Sequence, residues 1–188
     1  MADHYLTGVD PTVAVGSYLI ARPSVGQNIF SRSVVYICSK NTVGTTGFIL
    51  NHLTEFTAND LARAAGLAET GAGSQLRLYR GGPININTVY LLHTTDYNSP
   101  QTEVTGGFFD YTSDRNTIET LLSGVSPRIS RLLLGLAAWA PGQLEKEIAD
   151  RRWINCDLSV DIAFGIDSDR LYDRCIEAAA EQVFTRWF

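Results

Sequence analysis

The sequence predicts a protein of the α+β class, because strand-like apolar runs joined by short turns occur beside segments with one apolar helical face. The clearest evidence is residues 27–52, where two apolar runs, 34–38 and 48–50, flank a polar turn at 41–44. These runs consist mainly of β-branched, aromatic and other apolar residues, which suit strands buried on both faces. We therefore expect a hairpin here, and we place it at the centre of the sheet.

Other strands are predicted from shorter patterns of the same kind. Residues 16–22 alternate until Pro23 ends the run, and residues 131–139 are apolar almost throughout between turn signals. The leucines of the second run also suit a helix, but its short length favours a buried strand. The remaining strand predictions cover residues 76–79, 89–93, 108–111, 153–154 and 160–164, with a turn at Gly106 and Gly107 before the third of these.

Helices are predicted from capping residues that precede apolar side chains at three- and four-residue spacing. In the first helix we expect Leu61, Ala64 and Ala65 to face the core, and in the last we expect Val183 and Phe184 to do so. Residues 71–74 are rich in glycine and are expected to form a flexible loop. The predicted helices run from Thr57 or Asn59 to about Ala65, from Ser113 or Asp114 through Leu122, from Pro141 at the first helical position through Ala149, and from Asp167 or Ser168 through Phe184.

The length and composition favour one soluble domain. The chain has 188 residues, of which 45% are hydrophobic and 19% charged. No apolar run approaches the roughly 18 residues that a membrane helix needs. We expect a single domain over residues 1–188, with residues 1–15 as an N-terminal arm. The first residues lack the pattern of a signal peptide, so we expect a cytoplasmic protein without a membrane association.

The net charge of −5 disfavours sequence-independent binding to nucleic acid, which depends on many Lys and Arg side chains. Arg22, Arg32, Arg77 and Arg80 are candidates for a basic face toward DNA or an acidic partner, and scattered solvated arginines are the alternative. The composition therefore leaves DNA as a possible but disfavoured partner.

Cys38, Cys156 and Cys175 are an odd number of widely spaced cysteines, so we expect reduced and mostly buried thiols. Cys156 is the best candidate for reactivity, because Arg151 and Arg152 lie near it in the sequence. No Cys-x-x-Cys or His-Glu-x-x-His motif is present. We predict no metal and no cofactor.

Gly81, Gly82 and Pro83 form the sharpest local motif in the chain. Two glycines permit backbone conformations with positive φ, and successive N–H groups can form an anion-binding nest. Pro83 lacks an N–H group and no lysine follows it, so a structural turn is the alternative.

His93 and Asp96 are a candidate base and its orienting carboxylate, although no nucleophile motif accompanies them. A histidine bonded to nearby backbone is the alternative. The same alternative applies to His52, and His4 lies in the N-terminal arm.

Trp139, Gly142 and Gln143 mark a turn from a strand into a helix. The helix N-terminus can bind a carboxylate or phosphate, and a tryptophan that fills the end of the core is the alternative. We hypothesise that this turn, residues 81–83 and Asn51 line one pocket. The candidate ligand or partner loops comprise Asn51, Gly81, Gly82, Pro83, His93, Trp139, Gly142 and Gln143.

Three groups of short motifs together resemble the YqgE/AlgH family of small bacterial proteins. The resemblance implies a bent, bifurcated, mostly antiparallel sheet that forms a barrel-like core flanked by helices. It also implies a proposed role in transcriptional regulation, and it supplies no catalytic residues. The chain departs from the family pattern at His52, Leu53 and Leu136, where the family usually has lysine, proline and tyrosine. The motifs are residues 22–23, 30–37 and 47–51; residues 81–83 and 92–93; and residues 134–139, 141–145 and Trp153.

Three functions remain open on the sequence. The first is a non-catalytic regulatory or adaptor protein that binds a protein partner, because the sequence has no evident catalytic constellation. The second is a transcriptional regulator that contacts DNA. The third is a small-ligand sensor or enzyme that uses residues 81–83, His93 and Trp139. An exposed apolar patch favours the first, a continuous positive face the second, and a pocket with converging polar groups the third.

Overall fold

A computed structural model describes residues 13–23 and 28–185 of the chain. Residues 1–12 of the predicted arm, including His4, lie outside these ranges. The side chains of Val183 and Phe184 are also outside the description, so their predicted burial stays a prediction.

The described residues form ten strands and six helices. The predicted hairpin at residues 27–52 is confirmed, and the apolar run at 131–139 is a strand. None of the described helices is both long and apolar enough to cross a lipid bilayer. The strands are β1 (Tyr18–Ala21), β2 (Val34–Asn41), β3 (Gly44–Ile49), β4 (Leu53–Thr57), β5 (Arg77–Arg80), β6 (Ile84–Thr94), β7 (Thr102–Glu103), β8 (Phe109–Thr112), β9 (Ser130–Trp139) and β10 (Trp153–Cys156). The helices are α1 (Ala58–Ala64), α2 (Gly71–Gln75), α3 (Arg115–Leu122), α4 (Gln143–Ala149), α5 (Val160–Gly165) and α6 (Ser168–Thr185).

The strands form one curled, mostly antiparallel sheet in the order β10-β1-β2-β3-β9-β6-β8-β7. Strand β9 is the branch point, because it pairs with β5 through residues 132–134 and with β3 through residues 137–139, while β6 pairs along its other edge. Strand β5 runs parallel to β9 and pairs with β4 as well. The sheet therefore divides into two arms and bends into a half-barrel, which confirms the α+β fold with a bifurcated, barrel-like core.

Neighbouring side chains of the hairpin enter different parts of the core, as the two-residue period of a strand requires. Phe48 lies in a first core cluster that includes Cys175 of α6. Ile49 lies in a second cluster that includes Leu144 of α4. A third cluster, which includes Leu121 of α3, is packed under α1 and α3. Helices therefore cover both faces of the curled sheet.

The strand predicted at residues 160–164 is wrong, because this segment is helix α5. Val160 and Ile162 are β-branched, and this property favoured the strand prediction. The Ser159 hydroxyl, however, accepts a hydrogen bond from the Ile162 N–H (3.3 Å) and caps a helix. Ala163 then packs in the first core cluster. The capping serine and the buried face therefore override the strand propensity.

The flexible loop predicted at residues 71–74 is also wrong, because helix α2 begins there. The Thr70 hydroxyl accepts a hydrogen bond from the Gly73 N–H (3.0 Å) and caps the helix. The Asn59 side chain bonds both the N–H and the carbonyl of Thr70. A Cβ atom on Gly73 would clash with Asn59 and Leu122, so close packing against α1 and α3 explains a helix of such low propensity.

The buried face of α1 differs from its prediction by a rotation about the helix axis. Ala58 and Ala62 are buried, whereas Ala64 and Ala65 are exposed. Leu61 is half-buried at the edge of the third core cluster.

Candidate functional site

A groove of about 460 Å³ lies where the chain leaves β3 and meets the end of β5 and the start of α6. We call it the β3–β4 groove, because residues 51–53 connect these two strands. Of the candidate loop residues, Asn51 lines this groove. The lining residues are Asn51, His52, Leu53, Arg80, Ser168 and Asp169.

Asn51 holds the backbone at the entrance to β2. Its Oδ1 atom accepts a hydrogen bond from the Val34 N–H (2.8 Å), and its Nδ2 atom donates one to the Arg32 carbonyl (2.8 Å). Arg32 has a φ of 53°, a left-handed conformation that costs a non-glycine residue about 1–2 kcal/mol. The amide of Asn51 therefore stabilises a strained turn at one side of the groove.

His52 is held in the groove as a neutral side chain. Burial lowers the pKa of its imidazole below the ordinary value of 6.5, the bond to the Ser31 carbonyl opposes this shift, and the charge of Arg80 adds to it. The ring Nε2 atom donates to that carbonyl (3.2 Å). At pH 7 the positive charge of the groove therefore comes from Arg80, and Asp169 supplies a negative charge.

Arg32 connects the same turn to helix α6. Its Nη2 atom lies 2.9 Å from Asp173 Oδ1, and its Cζ atom lies 4.4 Å from the ring centroid of Tyr172. The Tyr172 hydroxyl donates to the Ala21 carbonyl (2.7 Å). The exposed ion pair contributes less than about 1 kcal/mol, but these contacts together fix the start of α6 beside the groove.

Strand β4 presents an exposed apolar surface next to the groove. Leu53 and Phe56 are 46% and 47% exposed. Among the described strands β4 pairs with β5 alone, and its register shifts between Leu53 and Thr57. We call residues 53–57, with the exposed side chains of Leu53 and Phe56, the β4 edge. Several backbone groups of β4 are already bonded within the chain, including the N–H groups of Leu53 and Phe56 and the Thr54 carbonyl. This edge therefore offers a partner mainly apolar contacts.

Gly81 and Gly82 lie where the chain passes close to β9. The Gly81 N–H donates to the Leu134 carbonyl (2.7 Å), and its carbonyl accepts from the Ile49 N–H (2.8 Å). A Cβ atom on Gly81 would lie 2.3 Å from the Gly135 carbonyl oxygen. Both backbone groups of Gly81 are thus used within the sheet, which accounts for the motif as a structural turn.

His93 is fully buried and is bonded to backbone. Its Nδ1 atom donates to the Thr94 carbonyl (3.0 Å), and its ring packs edge-on against Tyr97 at 5.1 Å between centroids. Asp96 instead accepts hydrogen bonds from the Thr94 hydroxyl and the Arg128 N–H, and these bonds hold its carboxyl pKa below the usual range. The two residues are therefore engaged with different groups.

Trp139 is buried at the end of β9 and takes part in a network that the sequence did not predict. Its Nε1 atom donates to Glu147 Oε2 (3.1 Å), and Trp153 Nε1 donates to the same oxygen (2.8 Å). Gln143 Nε2 donates to the other carboxylate oxygen (3.0 Å). Glu147, on α4, therefore connects β9 and β10. Two buried tryptophans in the sequence could have indicated this site, because a buried indole N–H group requires a hydrogen-bond acceptor.

The turn before α4 differs slightly from its prediction. Gly142, with a φ of 76°, is the N-cap residue, so Pro141 precedes the cap and does not occupy the first helical position. Gln143 Oε1 accepts a hydrogen bond from the Ala140 N–H (3.0 Å). The side chain of Gln143 therefore closes the turn before α4.

The other candidate loop residues have different surroundings. Trp139 belongs to the second core cluster, and His93 packs against Tyr97 beside the third. Gly81 lies against Phe48 of the first cluster. Pro83 is exposed. Asn51 lines the β3–β4 groove, whereas Gly81, Pro83, His93 and Trp139 are not among its lining residues.

The four arginines suggested as a basic face also have different environments. Arg22 is buried, Arg32 is paired with Asp173, and Arg77 donates to the Thr54 carbonyl (3.0 Å). Arg80 lines the β3–β4 groove. These contacts do not describe a continuous positive surface.

The three cysteines are free and buried, as predicted. Burial raises the pKa of Cys38, Cys156 and Cys175 to about 12, so each is a neutral thiol near pH 7. Cys156, the candidate for reactivity, is 8% exposed, and this burial does not favour a reactive thiol. Among the described residues there is no group of three or more His, Cys, Asp or Glu side chains that could hold a metal ion.

Comparison with known proteins identifies the family. A family model described as AlgH-like (DUF179) matches residues 18–183. The chain belongs to the AlgH-like family. This match confirms the resemblance found in the sequence motifs.

AlgH-like relatives share both sequence and fold with this chain. A UPF0301 protein of Methylococcus capsulatus is 33% identical over 165 residues, which cover 87% of this chain and 90% of that protein. A UPF0301 protein of Allorhizobium ampelinum is 33% identical over 168 residues, covering 86% and 84%. The solution structure of the AlgH protein from Pseudomonas aeruginosa superimposes with a TM-score of 0.75 at 25% identity, covering 91% of this chain and 89% of that one. A crystal structure of a Corynebacterium diphtheriae protein shares the fold, with a TM-score of 0.68 at 22% identity and coverage of 93% and 92%.

Proposed function

We propose that this AlgH-like protein is a non-catalytic regulatory or adaptor protein, and that an extended segment of a partner protein binds along the β4 edge. The observation that carries the proposal is an edge strand with two half-exposed apolar side chains, Leu53 and Phe56.

An extended segment suits this surface because it can lie along an edge strand and contact the exposed side chains of Leu53 and Phe56. Covering the exposed halves of Leu53 and Phe56 contributes on the order of 1–3 kcal/mol in total. Leu53 also lines the β3–β4 groove, so a segment on the edge reaches Arg80 and Asp169. These opposite charges give the segment a polar contact beside its apolar ones.

The environments of the reactive side chains support a binding role. His93 has no exposed surface, and its ring is bonded to backbone. The three thiols are buried with raised pKa values. The β4 edge, in contrast, is open to solvent and consists of groups that bind without chemical reaction.

The test is affinity capture from a lysate of the host at physiological salt. The bait is the tagged protein, compared with a Leu53→Asp/Phe56→Asp double variant and with Val43→Asp. Val43 is 82% exposed in the turn between β2 and β3, so it controls for adding a carboxylate to an exposed apolar site. We expect a stoichiometric protein on the wild-type and Val43→Asp baits and at least a tenfold loss, about 1.4 kcal/mol, on the double variant.

Thermal unfolding of the three baits verifies that they are equally folded. Equal retention of the protein by the double variant would contradict docking at the β4 edge. Retention of nucleic acid without a protein would instead favour a DNA-binding regulator.

A further inference from the structure

Arg131 is a buried arginine at the start of β9. The residue is 8% exposed, and one of its Nη1–H groups donates to the Leu50 carbonyl. Its Cζ atom lies 4.6 Å from the ring centroid of Tyr79 and 4.9 Å from that of Phe164. The carbonyl and the two rings hold the guanidinium in a fixed position between β3, β5 and α5.

The charge of Arg131 has no carboxylate within ion-pair distance among residues 13–23 and 28–185. A buried charge without an opposite charge is unfavourable, and one carbonyl and two aromatic rings compensate only part of the lost hydration. Burial accordingly lowers the pKa of Arg131, although an arginine keeps its proton at neutral pH. An anion beside the guanidinium would remove this imbalance.

Arg131 lines a pocket of about 430 Å³ between the loop before β9 and helix α5. We call it the Arg131 pocket. Pro127, Ile129 and Phe164 are apolar residues of the lining, and Arg128 is its second arginine. Arg128 also lies near the Asp96 carboxylate, which accepts a hydrogen bond from its backbone N–H (3.0 Å). Asp161 is the carboxylate in this lining. The volume is large enough to admit a small organic molecule.

We propose that the Arg131 pocket binds a small organic anion, with a carboxylate or phosphate group on the Arg131 guanidinium and an apolar body against Phe164 and Ile129. A guanidinium has five N–H donors in a planar fork that matches these oxyanions, and one of them is used by Leu50. Arg128 adds positive charge to the lining, whereas Asp161 and the Asp96 carboxylate near Arg128 oppose it. The proposal does not depend on partner binding at the β4 edge.

Calorimetric titration with phenyl phosphate and with benzoate tests the pocket. These probes combine each candidate headgroup with an aromatic body, and benzyl alcohol is the neutral control. We expect at least one anion to bind with millimolar or better affinity and benzyl alcohol not to bind. Binding of one anion alone identifies the headgroup, and binding of both indicates general oxyanion recognition.

Charge variants assign the binding to this pocket. We expect Arg131→Gln to weaken binding at least about tenfold, because it removes the bidentate partner. Arg128→Gln should weaken it about threefold, and Asp161→Asn should strengthen it about twofold. Arg170→Gln and Asp150→Asn are matched controls, because both residues are exposed and lie outside the pocket lining.

Arg131 also contributes to the core, so the surface variants decide the result if Arg131→Gln does not fold. Failure of both anions to bind at millimolar concentration would overturn the proposal. Binding that is unchanged in both Arg128→Gln and Asp161→Asn would also overturn it, because the probe would then occupy another place.

Discussion

Glu147 holds two buried tryptophans in place, because one carboxylate oxygen accepts the N–H groups of both Trp139 and Trp153. We predict that Glu147→Ala lowers the free energy of unfolding by about 2 kcal/mol or more, since two buried donors lose their acceptor. Glu147→Gln keeps a carbonyl acceptor and should lose less. Urea unfolding followed by tryptophan fluorescence measures both effects.

Glu145 provides the control on the same helix. Its carboxylate pairs with Lys40 at 2.8 Å at a partly exposed position, so Glu145→Ala should lose less than about 1 kcal/mol. Equal losses for the two glutamates would contradict the proposed role of Glu147. The sequence could predict that Trp139 fills the core, but its acceptor depends on how β9, α4 and β10 meet in space.

At the scale of elements, the branching of the sheet depends on close contact between the Gly81-Gly82 turn and β9. Gly135 has a φ of +69°, and a Cβ atom there would lie 2.6 Å from the Gly82 carbonyl oxygen. We predict that Gly135→Ala lowers the free energy of unfolding by about 2–4 kcal/mol, because the side chain adds a left-handed penalty and a backbone clash. Thermal and urea unfolding measure the loss.

Gly66 separates these two causes. Its φ is +72°, but a Cβ atom there would meet nothing within 4 Å. Gly66→Ala should therefore lose only the conformational part, about 1 kcal/mol. If both substitutions lowered the free energy of unfolding by only about 1 kcal/mol, close packing of β9 against the Gly81-Gly82 turn would not constrain residue 135.

Elements with one dominant signal could be predicted from the sequence, and elements with competing signals could not. The run at residues 131–139 is apolar over the whole length of a buried strand, and it is β9. Residues 160–164 combine strand propensity with a capping serine at position 159, and the cap and packing decide for a helix. Residues 71–74 have little helix propensity, and contacts from Asn59 and Leu122 make the difference.

At the scale of the whole molecule, the bent and bifurcated form of the sheet was implied by the family resemblance, and the strand order was not predicted. Strand β9 pairs with β3, β5 and β6, and local patterns carry no information about such partners. The same limit applies to the two proposed sites. The neighbours of Arg131 come from residues 50, 79 and 164, which only the folded chain brings together. The β4 edge is likewise defined by the absence of a second pairing strand within the described part of the chain.

The three cysteines test whether this core opens as one unit. Cys38 on β2, Cys156 on β10 and Cys175 on α6 all belong to the first core cluster. Their pKa values of about 12 and their burial make them unreactive while the cluster is intact. At pH 8 a disulfide reagent should therefore label all three at one rate, at least about a thousandfold slower than in denaturing urea. A Val43→Cys variant, with its thiol in an exposed turn, supplies the rapid reference. Fast labelling of Cys156 alone would restore it as a reactive thiol, and fast labelling of Cys175 alone would show that α6 opens before the sheet.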